Sequence, residues 1–73
     1  MKEQIKKQIK EKASLISADG KIAYKLLMKF SIRQELQAGT KEEQQIWMAI
    51  RRLLREHYVG FSKEAFLKAL DIL

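Results

Sequence analysis

The chain has no cysteine and no proline, and only three of its 73 residues are glycine. Without cysteine there can be no disulfide, no zinc–thiolate site and no thiol nucleophile, which fits a reducing compartment. Without proline, the breaks between elements fall to Gly20, Gly39 and Gly60, spaced roughly twenty residues apart. Long apolar runs are also missing. The longest, Ile46–Ile50, falls far short of the ~18 residues that cross a bilayer. Apolar residues among the first lysines are isolated, so no signal-peptide core is expected, and the chain is read as cytoplasmic.

What is present points to helices. Each glycine is read as a helix stop with a helix start beside it. Thr40-Lys41-Glu42-Glu43 has the form of a capping box, in which the Thr40 hydroxyl and Glu43 carboxylate satisfy free backbone N–H groups. Ser62 is placed as an N-cap, which sets Phe61 and Phe66 at the spacing of a hydrophobic staple. Asp19 is placed to cap a helix starting at Lys21.

Four segments carry helical periodicity. Residues 2–17 put Ile5, Ile9, Ala13 and Ile16 on one face, with Lys6, Lys7 and Lys10 opposite. Lys12 falls inside the apolar arc and is expected to run its stem along it. Residues 21–38 are apolar nearly all round. Ile22, Ala23, Leu26, Leu27 and Phe30 form one stripe, and Tyr24, Met28, Ile32 and Leu36 another. Ser31-Ile32-Arg33-Gln34 also matches a capping box, so this segment could be two helices broken at Ser31. Residues 41–58 bury Ile46, Trp47, Ile50, Leu53 and Leu54, with Arg51, Arg52 and Arg55 opposite and Tyr58 on the buried arc. Residues 63–72 carry Phe66, Ala69 and Leu70, continued by Leu73. No segment has strand periodicity.

The expected fold class is therefore all-α: one domain, residues 1–73, forming a compact bundle of four helices, or five if the second breaks at Ser31. Short connections favour neighbours that run mostly antiparallel.

Catalytic chemistry finds little to work with. His57 is the sole histidine, and near a helix C-terminus it is expected to bond a nearby carbonyl. Glu42 and Glu43 suit a helix start, where negative charge is favoured. Asp19-Gly20-Lys21 is too short for a phosphate loop. No enzyme activity, metal, cofactor or small-molecule substrate is expected.

Net charge is +6, which biases the chain toward anionic partners. Two basic groups stand out: Arg51, Arg52 and Arg55 on the third helix, and Lys6, Lys7 and Lys10 on the first. Arginine suits phosphate because its planar fork makes paired hydrogen bonds. The leading expectation is a non-enzymatic basic module that docks an anionic partner, nucleic acid first, through these six side chains.

The alternative is a protein-interaction module: a small regulator, inhibitor or immunity-type protein, with an acidic protein as a candidate partner. Its surface would be the second apolar face, Tyr24, Met28, Ile32 and Leu36, which could equally pair two copies into a homodimer. Burial of Met28, Ile32 and Leu36 distinguishes these alternatives. Two further possibilities are weaker. A helix-turn-helix through Ser31 would offer Arg33, Gln34 and Gln37 as base readers but has no turn glycine. Membrane-surface binding by the first helix lacks an interfacial tryptophan or phenylalanine.

Overall fold

Apolar residues recurring every three or four positions build four α-helices in the computed structural model, which describes residues 1–73. They are α1 (Lys2–Leu15), α2 (Gly20–Gln37), α3 (Lys41–Glu56) and α4 (Lys63–Ile72). Residues 16–19, 38–40 and 57–62 connect them. The arrangement is a four-helix bundle of 32 × 22 × 20 Å, and α2 and α3 form its most extensive pairing.

The core draws on every helix. Ile5, Ile9 and Ala13 come from α1, Ala23 and Leu27 from α2, Trp47, Ile50 and Leu54 from α3, and Phe66 and Leu70 from α4. Ile16 and Phe61 join from the connections. None of these helices could bury its stripe alone, so their mutual packing supplies most of the stability. Phe30 meets Trp47 edge-on at 5.8 Å between centroids, and Lys12 lays its ammonium 5.5 Å over the Phe30 ring. The stem of Lys12 thus runs along the apolar arc as its sequence position implies.

The N-caps match their sequence signals. The Thr40 hydroxyl accepts from the Glu43 N–H at 3.1 Å. The Glu43 carboxylate accepts the Thr40 hydroxyl at 3.4 Å rather than the Thr40 backbone N–H. The Ser62 hydroxyl accepts from the Ala65 N–H at 3.4 Å, and the Phe61 and Phe66 rings sit 5.9 Å apart as the staple.

Four expectations need correction. First, α2 does not break at Ser31. The Ser31 side chain is fully buried and its hydroxyl donates to the Leu27 carbonyl at 2.8 Å. A serine that satisfies itself within its own helix needs no cap, so α2 stays continuous and the helix-turn-helix loses its turn. Second, the glycines do not close helices. Ile16 and Ala38, the residues after α1 and α2, are extended, and for Ile16 this turns an apolar side chain into the core. Gly20, the first residue of α2, and Gly60, in the connection between α3 and α4, take positive φ, 68° and 62°. A Cβ would meet nothing within 4 Å at either, so backbone conformation alone calls for glycine there. Third, α3 ends at Glu56, and Tyr58 lies beyond it, half exposed, edge-on to Tyr24 at 4.9 Å. Fourth, α2 faces the core with a different stripe, which decides where the candidate site lies.

Candidate docking surface

The six basic side chains divide. Arg51 pairs with Glu35 of α2 at 2.5 Å, and both side chains are largely covered. Lys6 is only 7 % exposed. Its ammonium lies 3.4 Å from the Asp71 carbonyl oxygen and 3.6 Å from Glu3. Lys10 pairs with the Asp71 carboxylate at 2.5 Å. These three cations are therefore engaged with other parts of the chain: one ties α3 to α2, and two tie α1 to the end of α4, with the Lys10–Asp71 pair at the surface. The expectation that Lys6 lies on a solvated face is corrected, because α4 packs beside α1 and covers it. Lys7, Arg52 and Arg55 remain exposed and without an ion pair.

His57 bonds the Leu53 carbonyl through Nδ1 at 3.0 Å, and its ring meets Phe66 edge-on at 6.4 Å. It is a half-buried packing residue at the end of α3, as its position near the helix C-terminus suggests. No group of three or more His, Asp or Glu side chains converges anywhere in the fold.

The apolar residues of α2 rearrange more than any others. Ala23, Leu27 and Ser31 are its buried residues. Tyr24 and Met28 flank them, half-buried against the core, with the Tyr24 ring also edge-on to Phe61 at 5.7 Å. On the far side, Ile22 is 62 % exposed, Leu26 42 %, Ile32 37 % and Leu36 78 %. The expected interaction set of Tyr24, Met28, Ile32 and Leu36 is thus split. Its first two members line the edge of the core and its last two face solvent. Ile22 and Leu26, expected in the core, join the exposed side.

Lys21, Lys25, Lys29 and Arg33 lie on that same side, one per turn and all exposed. The only acidic residue within α2 is Glu35, which is turned inward to Arg51. The outer face therefore alternates aliphatic and cationic side chains and carries no negative charge of its own. A shallow groove of about 500 Å³ runs along it, lined by Ile22, Tyr24, Leu26, Met28 and Ile32 together with Lys25 and Lys29.

A signal for this face was present in the sequence. Apolar residues surround α2, so hydrophobicity alone leaves its rotation ambiguous. The four-residue spacing of Lys21, Lys25, Lys29 and Arg33 marks the side that needs water. Ala23 and Ser31, both fully buried, mark the opposite side, which packs into the bundle.

Elsewhere, no helix is long and apolar enough to cross a membrane. Comparison with protein-family models, with curated proteins and with solved structures finds no match to this chain, so the chemistry of its surface stands on its own residues.

Proposed function

We propose that this protein is a small non-enzymatic docking module and that the outer face of α2 is its contact surface. One observation carries this: Ile22, Leu26, Ile32 and Leu36 stand exposed on one side of the longest helix, interleaved with four cations and no anion. Exposed aliphatic residues that continue along one face mark interaction sites more often than isolated ones do. Aliphatic anchors supply affinity once desolvated, and the surrounding charges steer encounter.

Nucleic-acid docking through the basic groups is the second reading. Lys7, Arg52 and Arg55 are exposed without ion pairs and are free to neutralise phosphate. Arg51, Lys6 and Lys10 are already engaged with carboxylates or carbonyls, which leaves this reading with half of its cations.

Photo-crosslinking in the native cell tests the choice. A photoreactive side chain replaces Leu36 in one variant, Arg52 in a second and exposed Lys68 in a third as a control. Discrete protein adducts from Leu36 and none from Lys68 are expected. Nuclease-sensitive adducts from Arg52 alone would reverse the order of the two readings. Silence at both positions would remove them.

A further inference from the structure

We infer that the outer face of α2 takes an acidic amphipathic helix from a protein partner, a proposal that rests on the docking role given above. Three features of the face define this occupant. Ile22 to Leu36 span about 21 Å along the axis at 1.5 Å per residue, roughly four helical turns. Aliphatic side chains recur along that length and offer the ridges into which a second helix packs. Lys21, Lys25, Lys29 and Arg33 place one exposed cation on each turn. A partner helix therefore needs an aliphatic row flanked by about one carboxylate per turn, so that both its grease and its charge are answered.

Other occupants fit less well. A second copy would set four cations against four, because a twofold contact brings the same patch to both sides. Nucleic acid would meet the cations but gain nothing from four aliphatic residues between them. An anionic lipid surface would match the charge. However, the aromatic residues of α2 that would sit at a membrane interface, Tyr24 and Phe30, pack against Tyr58, Phe61 and Trp47 instead.

The full chain tests this with two helix-stapled probe peptides of about 18 residues, long enough to span the four turns. Both carry the same leucine row. One flanks it with glutamate, the other with lysine. Binding is followed by calorimetry and by amide chemical shifts of the labelled protein. The acidic probe is expected to bind at least about tenfold more tightly than the basic one, and more weakly as salt rises. The shifts should concentrate on residues 21–36. Lys25→Glu with Lys29→Glu, at two exposed positions, leaves two cations and two anions on the face and should abolish the preference without changing the fold.

Equal binding of the two probes, or none at about 1 mM, where even weak contacts register, would overturn the proposal. So would binding to phosphatidylserine vesicles in place of the acidic probe, or a stable dimer that occupies the face. The Leu36 crosslink separates the two levels. Protein adducts there without acidic preference sink the helix assignment alone. Loss of both sinks the docking surface with it.

Discussion

The Asp19 carboxylate accepts the backbone N–H of Lys63 at 2.9 Å. The same oxygen, Oδ1, accepts from the Gly20 N–H at 2.8 Å, so one side chain joins the beginnings of α2 and α4, which lie far apart in the chain. The Lys63 ammonium returns the link by donating to the Ile16 carbonyl. What reads locally as a helix cap is therefore also a tertiary clasp.

The clasp makes stability depend on pH. The Lys63 and Gly20 backbone donors hold the Asp19 carboxyl below its usual range. A lowered folded pKa means the contribution is complete above the unfolded pKa, about 4. It is lost as pH falls through the lower folded value. Asp71, held low by the hydrogen bond and charge of Lys10, has the same sign. Thermal melts of Asp19→Asn/Asp71→Asn should lose less stability than wild type between neutral pH and about pH 3. At neutral pH, Asp19→Ala should melt below Asp19→Asn, which keeps an accepting oxygen.

Neighbouring lysines should behave differently. Lys6 is covered and reaches the Asp71 carbonyl, whereas Lys7 is exposed. Denaturant titration is expected to show Lys6→Ala losing about 1–2 kcal/mol, through the lost stem packing and hydrogen bond. Lys7→Ala should stay within about 0.5 kcal/mol of wild type. Equal effects would contradict the covered position of Lys6.

Arg51 and Glu35 form a partly buried pair, and the Arg51 Nε is enclosed without a hydrogen-bond partner. Glu35→Ala should cost about 1–2 kcal/mol, less than a fully buried pair because Arg51 retains some water. Replacing both, with Glu35→Leu and Arg51→Met, should recover most of that loss, since an imperfectly satisfied pair is readily replaced by apolar packing. The exposed pair Lys68–Glu64, 3.3 Å apart, should give a coupling of only about 0.3–0.5 kcal/mol in a double-mutant cycle.

Ser31 offers a test of the continuous second helix. Its hydroxyl bonds only the Leu27 carbonyl of its own helix. Ser31→Ala should be neutral or slightly stabilising, within about 0.5 kcal/mol, because alanine is the better helix former and leaves no partner stranded. Ser31→Leu should cost about 1–3 kcal/mol by overpacking the contact side of α2. Circular dichroism with urea melts reads both. If serine were instead an N-cap at a break, alanine would be the damaging change.

How far the sequence could be read depends on how one-sided each helix is. Ile5, Ile9 and Ala13 lie on one arc of the first helix, Ile16 follows just past its end, and all four are buried. Phe66 and Leu70 are equally plain in the last. Thr40 and Ser62 announce their helices because a cap bonds within three residues of itself. Tyr58 was harder, since it continues the α3 period but lies past the end of that helix. Lys6 was hidden for another reason: only the return of α4 to the side of α1 covers it.

By itself the sequence determined the helical class, the helix starts and the apolar arcs of α1, α3 and α4, and left four helices or five open at Ser31. Periodicity and capping are local, and a few neighbouring residues express them completely. Only the tertiary structure decided how α2 is turned, which cations are spent on internal pairs, and which aliphatic residues are left outside. A helix that is apolar all round gains nearly the same burial in several rotations. The choice among them falls to where Ala23 and Ser31 permit close packing, where Glu35 meets Arg51, and where four basic side chains reach water.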